Sequence, residues 1–167
     1  VRRAFQEART SPTGPVFFGM SANAFDDVAD VDIHPSTAMA AATSVDENTV
    51  GEIISLLSKA ERPILIVGDR VGGANMDTVR LAETAGVPVY GHGSAEVNFP
   101  ATHPLWQGNL SVRAPQALAA IRSADLIIAA GCTVFDDFFH QEGSILTEGT
   151  NLVHIDSDPG SIGKSEP

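Results

Sequence analysis

Two uninterrupted apolar runs constrain this chain more than any other feature. Ile64-Leu65-Ile66-Val67 and Leu126-Ile127-Ile128-Ala129-Ala130 show no polar alternation. A strand with one wet face alternates apolar and polar residues, so a run without alternation reads as a strand covered on both faces. Helical patterns surround these runs. Val50, Ile53, Ile54 and Leu57 recur at the i, i+3, i+4, i+7 spacing of an amphipathic helix. Ser44-Val45-Asp46-Glu47 precedes them and fits a capping box with Ser44 as the cap. A second helix is expected from about Asn75 to Ala85, with Gly86 as its C′ residue. A third is expected from about Ala114 to Arg122, with Pro115 tolerated in its first turn. Val87-Pro88-Val89-Tyr90 and Leu152-Val153-His154-Ile155 bring the expected strands of this region to four. Strand and helix in alternation specify an α/β fold, a Rossmann-like parallel sheet with helices on both faces.

The segments outside this rhythm read differently. Residues 1–20 hold a short helical end, with Ala4, Phe5 and Ala8 on one side, and an apolar strand from Val16 to Met20. One helix end and one strand do not make a domain, so they read as the tail of a preceding one. Residues 21–43 lack periodicity and read as a surface linker, its Asp26, Asp27, Asp30 and Asp32 a solvated face. Residues 44–167 are expected as the domain proper, truncated at its C-terminal end. The stretches 91–113 and 131–150 are expected as long connections, the second partly helical. Val1 in place of Met and the polar Ser165-Glu166-Pro167 end read as a fragment of a longer chain.

Composition narrows the function classes. With 43% hydrophobic residues among 167, the chain can bury a core. A net charge of −11 repels phosphate backbones and argues against nucleic-acid binding. No apolar run reaches a membrane-spanning length, and no signal peptide opens the chain, so a cytoplasmic protein is expected. The single cysteine, Cys132, forms no internal disulfide.

Ligands of open α/β sheets bind beyond the carboxyl ends of the strands. The turns there are Gly68-Asp69-Arg70, Gly91-His92-Gly93-Ser94, Gly131-Cys132-Thr133 and Asp156-Ser157-Asp158. Their glycines permit a sharp turn or a close approach to a ligand. Gly68, Asp69, Arg70, Gly91, His92, Gly131 and Asp156 are therefore the candidates for holding a nucleotide. The dinucleotide fingerprint G-x-G-x-x-G is absent, and Gly163-Lys164-Ser165 lacks the upstream glycine of a P-loop. The histidines at 34, 92, 103, 140 and 154 show no zinc-binding spacing. His92 and His140 follow strands, where proton-moving groups tend to lie. Cys132 reads as a small buried side chain. Phe135-Asp136-Asp137-Phe138-Phe139 either lines a pocket or starts a helix, and the aromatics of residues 99–106 either anchor a substrate or seal a loop.

The motifs together resemble a family. Arg62-Pro63-Ile64-Leu65-Ile66-Val67-Gly68, Ala82-Glu83-Thr84-Ala85-Gly86-Val87-Pro88-Val89, Phe99-Pro100 with His103-Pro104-Leu105, Ala124-Asp125-Leu126-Ile127-Ile128 and His154-Ile155-Asp156 with Asp158-Pro159 resemble the middle domain of thiamine-diphosphate-dependent enzymes. The order and spacing hold over almost the whole chain, and Gly14-Pro15-Val16 resembles the end of their N-terminal, pyrimidine-binding domain. Within that superfamily the chain looks most like benzoylformate decarboxylases, over residues 134–143 and 149–152, and next like acetolactate synthases. The synthases share Phe135-Asp136-Asp137 but carry an Arg where this chain has Val134.

The resemblance implies a part of an enzyme acting on small 2-oxo acids with thiamine diphosphate and magnesium, working as a homodimer or homotetramer. Its activating Glu and its diphosphate-binding Gly-Asp-Gly and Asn-Asn motifs belong to other domains, so the fragment alone is expected to be an inactive scaffold. A middle-domain histidine serves proton transfer in benzoylformate decarboxylases. Ungapped alignment puts Phe138 there, and His140, two residues on, is the candidate. In acetolactate synthases the middle domain holds FAD, which leaves a nucleotide-binding module as the alternative.

Overall fold

The computed structural model describes residues 2–10, 13–26, 28–30, 44–93, 96, 99–111, 114–135 and 144–163. The chain forms two compact units, Val1–Ser44 and Val45–Pro167.

In the first unit, α1 (Arg2–Arg9) turns Ala4, Phe5 and Ala8 toward a groove completed by Val16 and Phe18. The expected strand at Val16–Met20 does not form. The segment pairs with no ladder, and Phe17 is 96% exposed. An apolar run becomes a strand only where a neighbour takes up its backbone groups, and none does so among the described residues. A short 3-10 turn follows at Ala22–Phe25, inside the expected linker.

The second unit is a five-stranded sheet, all parallel, in the order β3-β2-β1-β4-β5. The strands are β1 (Pro63–Val67), β2 (Val89–His92), β3 (Trp106–Leu110), β4 (Leu126–Ala130) and β5 (Asn151–Ile155). Helix α2 (Glu47–Lys59) precedes β1, α3 (Asn75–Ala85) links β1 to β2, and α4 (Pro115–Ser123) links β3 to β4. The two apolar runs lie side by side at the centre, with Ile64 opposite Ile127 and Leu65 opposite Ile128. Successive residues point to opposite faces. Ile64, Ile66, Ile127 and Ala129 therefore join Ala117 and Ile121 of α4 in one core. Leu65, Val67, Leu126 and Ile128 join Val79 and Ala82 of α3 and Leu56 and Leu57 of α2 in the other. Both faces are covered, as the missing alternation requires.

Four expectations need correction. First, α2 starts at Glu47, and its cap is Asp46 rather than Ser44. The Asp46 carboxylate accepts the N–H groups of Asn48 and Thr49 at 3.0 and 3.1 Å, and a charged acceptor is favoured at a helix N-terminus. Second, the inward face of α2 runs through Leu56 and Leu57, with Ala60 just beyond the helix end, while Ile54 is 61% exposed. Third, β2 begins two residues later than expected. Pro88, which has no N–H, stays outside the strand, although its carbonyl accepts Leu65 N–H at 3.0 Å. Fourth, the 91–113 connection contains β3, a strand missed because Gln107, Gly108 and Asn109 interrupt the apolar pattern. It is an edge strand with one extra residue opposite β2 between the Val89–Trp106 and Gly91–Asn109 pairs, and Gly108 there takes φ +95°. The described parts of 131–150 contain no helix, and residues 136–143 lie outside the described ones.

At the amino end of the sheet, Asp125 ties β4 to the entry of β1. Its carboxylate accepts Glu61 N–H at 2.7 Å and Arg62 N–H at 2.9 Å. Ile121 in the α4 core has no exposed surface. Ile121→Ala is expected to cost about 2–5 kcal/mol in urea unfolding, and the exposed Ile54→Ala to stay within about 0.5 kcal/mol.

Candidate functional site

The carboxyl ends of β1, β4 and β5 converge on one network. After β1 the chain enters a 3-10 turn, Asp69–Val71, and α3 starts only at Asn75. After β4, Gly131 takes the left-handed conformation at φ +59°. The two turns lie against each other. A Cβ on Gly68 would run into the Gly131 carbonyl and the Cys132 side chain, and one on Gly131 would run into the backbone of Arg70 and Val71. Both glycines thus serve the packing of one turn on the other. Backbone bonds join the same turns: Gly68 N–H donates to Ala130 O at 3.0 Å, Arg70 N–H to Gly131 O at 3.0 Å, and Gly131 N–H to Ile155 O at 2.8 Å.

Arg70 spans this junction. Its Nε and Nη2 donate to Asp156 at 2.8 and 2.7 Å, in the two-pronged geometry that suits a guanidinium, and Nη2 also reaches Thr133 Oγ1 at 3.3 Å. The Asp156 side chain is fully buried and that of Arg70 is 24% exposed. Asp156 also accepts Asp158 N–H at 2.8 Å. The Asp158 carboxylate in turn accepts Gly160 N–H at 2.9 Å and the Ser161 hydroxyl at 2.7 Å. His154 Nε2 lies 2.8 Å from Cys132 O and 3.6 Å from Asp156 Oδ2.

Charge and burial set the chemistry. Burial pushes the Asp156 carboxyl upward, but the Arg70 hydrogen bonds, the Asp158 N–H and the Arg70 charge together hold it below the usual 3.8. Burial, with the charge of Asp156 adding to it, pushes the Cys132 thiol up to about 12. A thiol in that state is no nucleophile at neutral pH, in keeping with a buried apolar role.

Of the sequence candidates, Gly68, Asp69, Arg70, Gly131 and Asp156 come together here. Gly91 and His92 do not. Both belong to β2, paired with Asn109 and Leu110 of β3. Gly91 answers a close approach, since a Cβ there would meet Asn109 and Trp106. His140 lies outside the described residues. The pairing of Arg70 with Asp156 and the parts of Thr133 and Asp158 are not legible in the sequence, although all three turns that carry them are candidates there. The aromatics of 99–106 seal the loop: Phe99 is buried, stacks on Trp106 at 6.0 Å and meets the edge of His103 at 5.2 Å. His103 accepts Leu105 N–H on Nδ1, which leaves Nε2 to donate to Glu83 at 3.3 Å.

A sequence model of the thiamine pyrophosphate enzyme central domain matches residues 50–167. The chain belongs to that family. A probable acetolactate synthase large subunit of Methanocaldococcus jannaschii is 30% identical over 98% of this chain and 29% of its own length. Benzoylformate decarboxylase of Pseudomonas aeruginosa is 28% identical over 98% of this chain and 32% of its length. The crystal structure of benzoylformate decarboxylase from Polynucleobacter necessarius superposes with a TM-score of 0.83, at 27% identity, covering 99% of this chain and 32% of that one. The chain thus spans about a third of the length of these relatives.

The family implies thiamine diphosphate, and the strand-end residues do not fit it. A magnesium diphosphate needs unengaged oxygen ligands. Here Asp156 is taken by Arg70 and Asp158 N–H, and Asp158 by Gly160 and Ser161. The arrangement can hold strands together; it offers no cradle for a diphosphate.

The lowered carboxyl of Asp156 has a defined consequence for acid stability. Its folded value lies below its unfolded one, so its contribution is present above about pH 4 and is lost as pH falls through the folded value. Asp156→Asn is expected to melt below wild type at neutral pH, with the gap narrowing in acid. Melting curves between neutrality and acid check this, and a gap independent of pH contradicts it.

Proposed function

We propose that the chain is the scaffolding central domain of a thiamine-diphosphate- and magnesium-dependent enzyme that decarboxylates small 2-oxo acids, in the manner of benzoylformate decarboxylase. The superposition on that enzyme over 99% of the chain carries this reading. The cofactor, held elsewhere in the assembled enzyme, would supply the electron sink that decarboxylation needs. This chain holds one wall of the substrate channel in place, because its own strand ends are engaged with one another. The working enzyme is a cytoplasmic homodimer or homotetramer in this reading. His140 is the proton-transfer group, since it stands two residues from the position of the decarboxylases' histidine and imidazole titrates near neutrality. The chain on its own neither holds thiamine diphosphate tightly nor turns over substrate.

The acetolactate synthase relatives favour a second reading, carboligation with FAD in this domain. A panel of 2-oxo acids, benzoylformate and pyruvate included, offered to the full-length enzyme with thiamine diphosphate and magnesium separates the two. Aldehyde release from the aromatic acid is expected. His140→Ala should then lower kcat by about 100-fold or more with a smaller change in KM. Acetolactate as the main product contradicts the decarboxylase reading, and unchanged turnover in the variant removes His140 from the mechanism.

A further inference from the structure

The strand order β3-β2-β1-β4-β5 reverses its direction of growth between β1 and β4. That reversal is where open parallel sheets take nucleotides, with the pyrophosphate on the helix after β1 and the glycine of the turn leaving room for it. In this chain each of those provisions is used otherwise. The room at Gly68 is filled by Gly131 and Cys132, and the room at Gly131 by Arg70 and Val71. Residues 68–74 stand between β1 and α3, so the helix does not rise directly from the strand end. Asp77 occupies the first turn of α3, where it opposes an anion.

Among the described residues the cation at the junction is Arg70, and it is already neutralised. Arg70 meets Asp156 at 2.7 Å and Asp69 at 3.9 Å, and the charge of Asp158 acts on it as well. Among the described residues, three carboxylates around one guanidinium leave the strand ends negative, which repels a pyrophosphate. The guanidinium bridges the end of β1 to the end of β5, across the end of β4.

We infer that the Arg70–Asp156 clamp stands in for a nucleotide at the switch point, so that this central domain holds neither FAD nor another dinucleotide in the assembled enzyme. The inference deepens the proposed function and rests on it only for where a flavin would sit. Acetolactate synthase-like sequence similarity therefore does not bring a flavin with it here.

The test uses the full-length enzyme, produced in flavin-replete cells. The purified protein is expected to show no flavin absorbance and to release no flavin on acid denaturation. Added FAD or ADP is expected to leave the melting temperature unchanged, whereas a site filled at about a hundredfold excess over its Kd raises it by several degrees. Stoichiometric flavin, or a saturating rise with FAD or ADP, overturns the inference whatever the enzyme's activity. Absence of aldehyde release with flavin also absent counts against the decarboxylase reading and leaves the inference standing. The clamp is tested separately with Arg70→Ala, Asp156→Asn and the double variant. Tight coupling predicts that the double variant melts no lower than the less stable single variant. Additive losses would mean that the two side chains act independently and would overturn the clamp; if Arg70→Ala does not fold, Arg70→Gln takes its place in the cycle.

Discussion

The contact on which the rest depends is the seating of the turn after β4 on the turn after β1. Gly131 adopts a left-handed conformation and lies against the Arg70–Val71 backbone, and Gly68 leaves room for Gly131 and Cys132. No side chain fits at either position. With the turns seated, Arg70 is carried to Asp156, and the end of β5 is drawn into register with the end of β4 through Gly131 N–H and Ile155 O. Asp125 does the corresponding work at the opposite end of the sheet by receiving the backbone as it enters β1. The central strands are therefore pinned at both ends by carboxylates that accept hydrogen bonds, while their middles are held by apolar burial.

Under the proposed function, this arrangement suits a domain whose task is geometry. In an enzyme assembled from several domains, a central scaffold must hold its surfaces in place without competing for the cofactor. Buried polar groups that satisfy one another rigidify a fold, and groups already satisfied have little left to offer a ligand. Arg70, Thr133, Asp156, Asp158 and Ser161 bond among themselves in this way. The thiol of Cys132, raised by burial and by Asp156, is equally withdrawn from chemistry.

Much of the fold is legible in the sequence wherever burial is two-sided and punctuation is unambiguous. β4 is readable residue for residue, as are α3 and its left-handed Gly86. Legibility fails where a segment's state depends on a distant neighbour. Trp106-Gln107-Gly108-Asn109-Leu110 becomes a strand only because β2 lies beside it, and its alternate residues face water. Val16-Phe17-Phe18 has the composition of a strand and pairs with nothing among the described residues. The strand-end turns are recognisable as a site from their glycines and charges. Their meaning is not, because Arg70 and Asp156 are 86 residues apart and only the topology brings them together. Local pattern marks where polar groups lie; whether they face a ligand or each other is decided by the fold.

The most direct test of a locked strand-end junction is amide hydrogen exchange at Gly68, Arg70 and Gly131, compared with Ile127 in the middle of β4. Each of the three donates to a backbone carbonyl across the junction. If the turns are seated as described, these amides exchange only through the same large opening that exposes Ile127, with comparable protection. Exchange at the rate of exposed turns, with Ile127 still protected, would mean that the strand ends open locally and that the junction does not hold the sheet together.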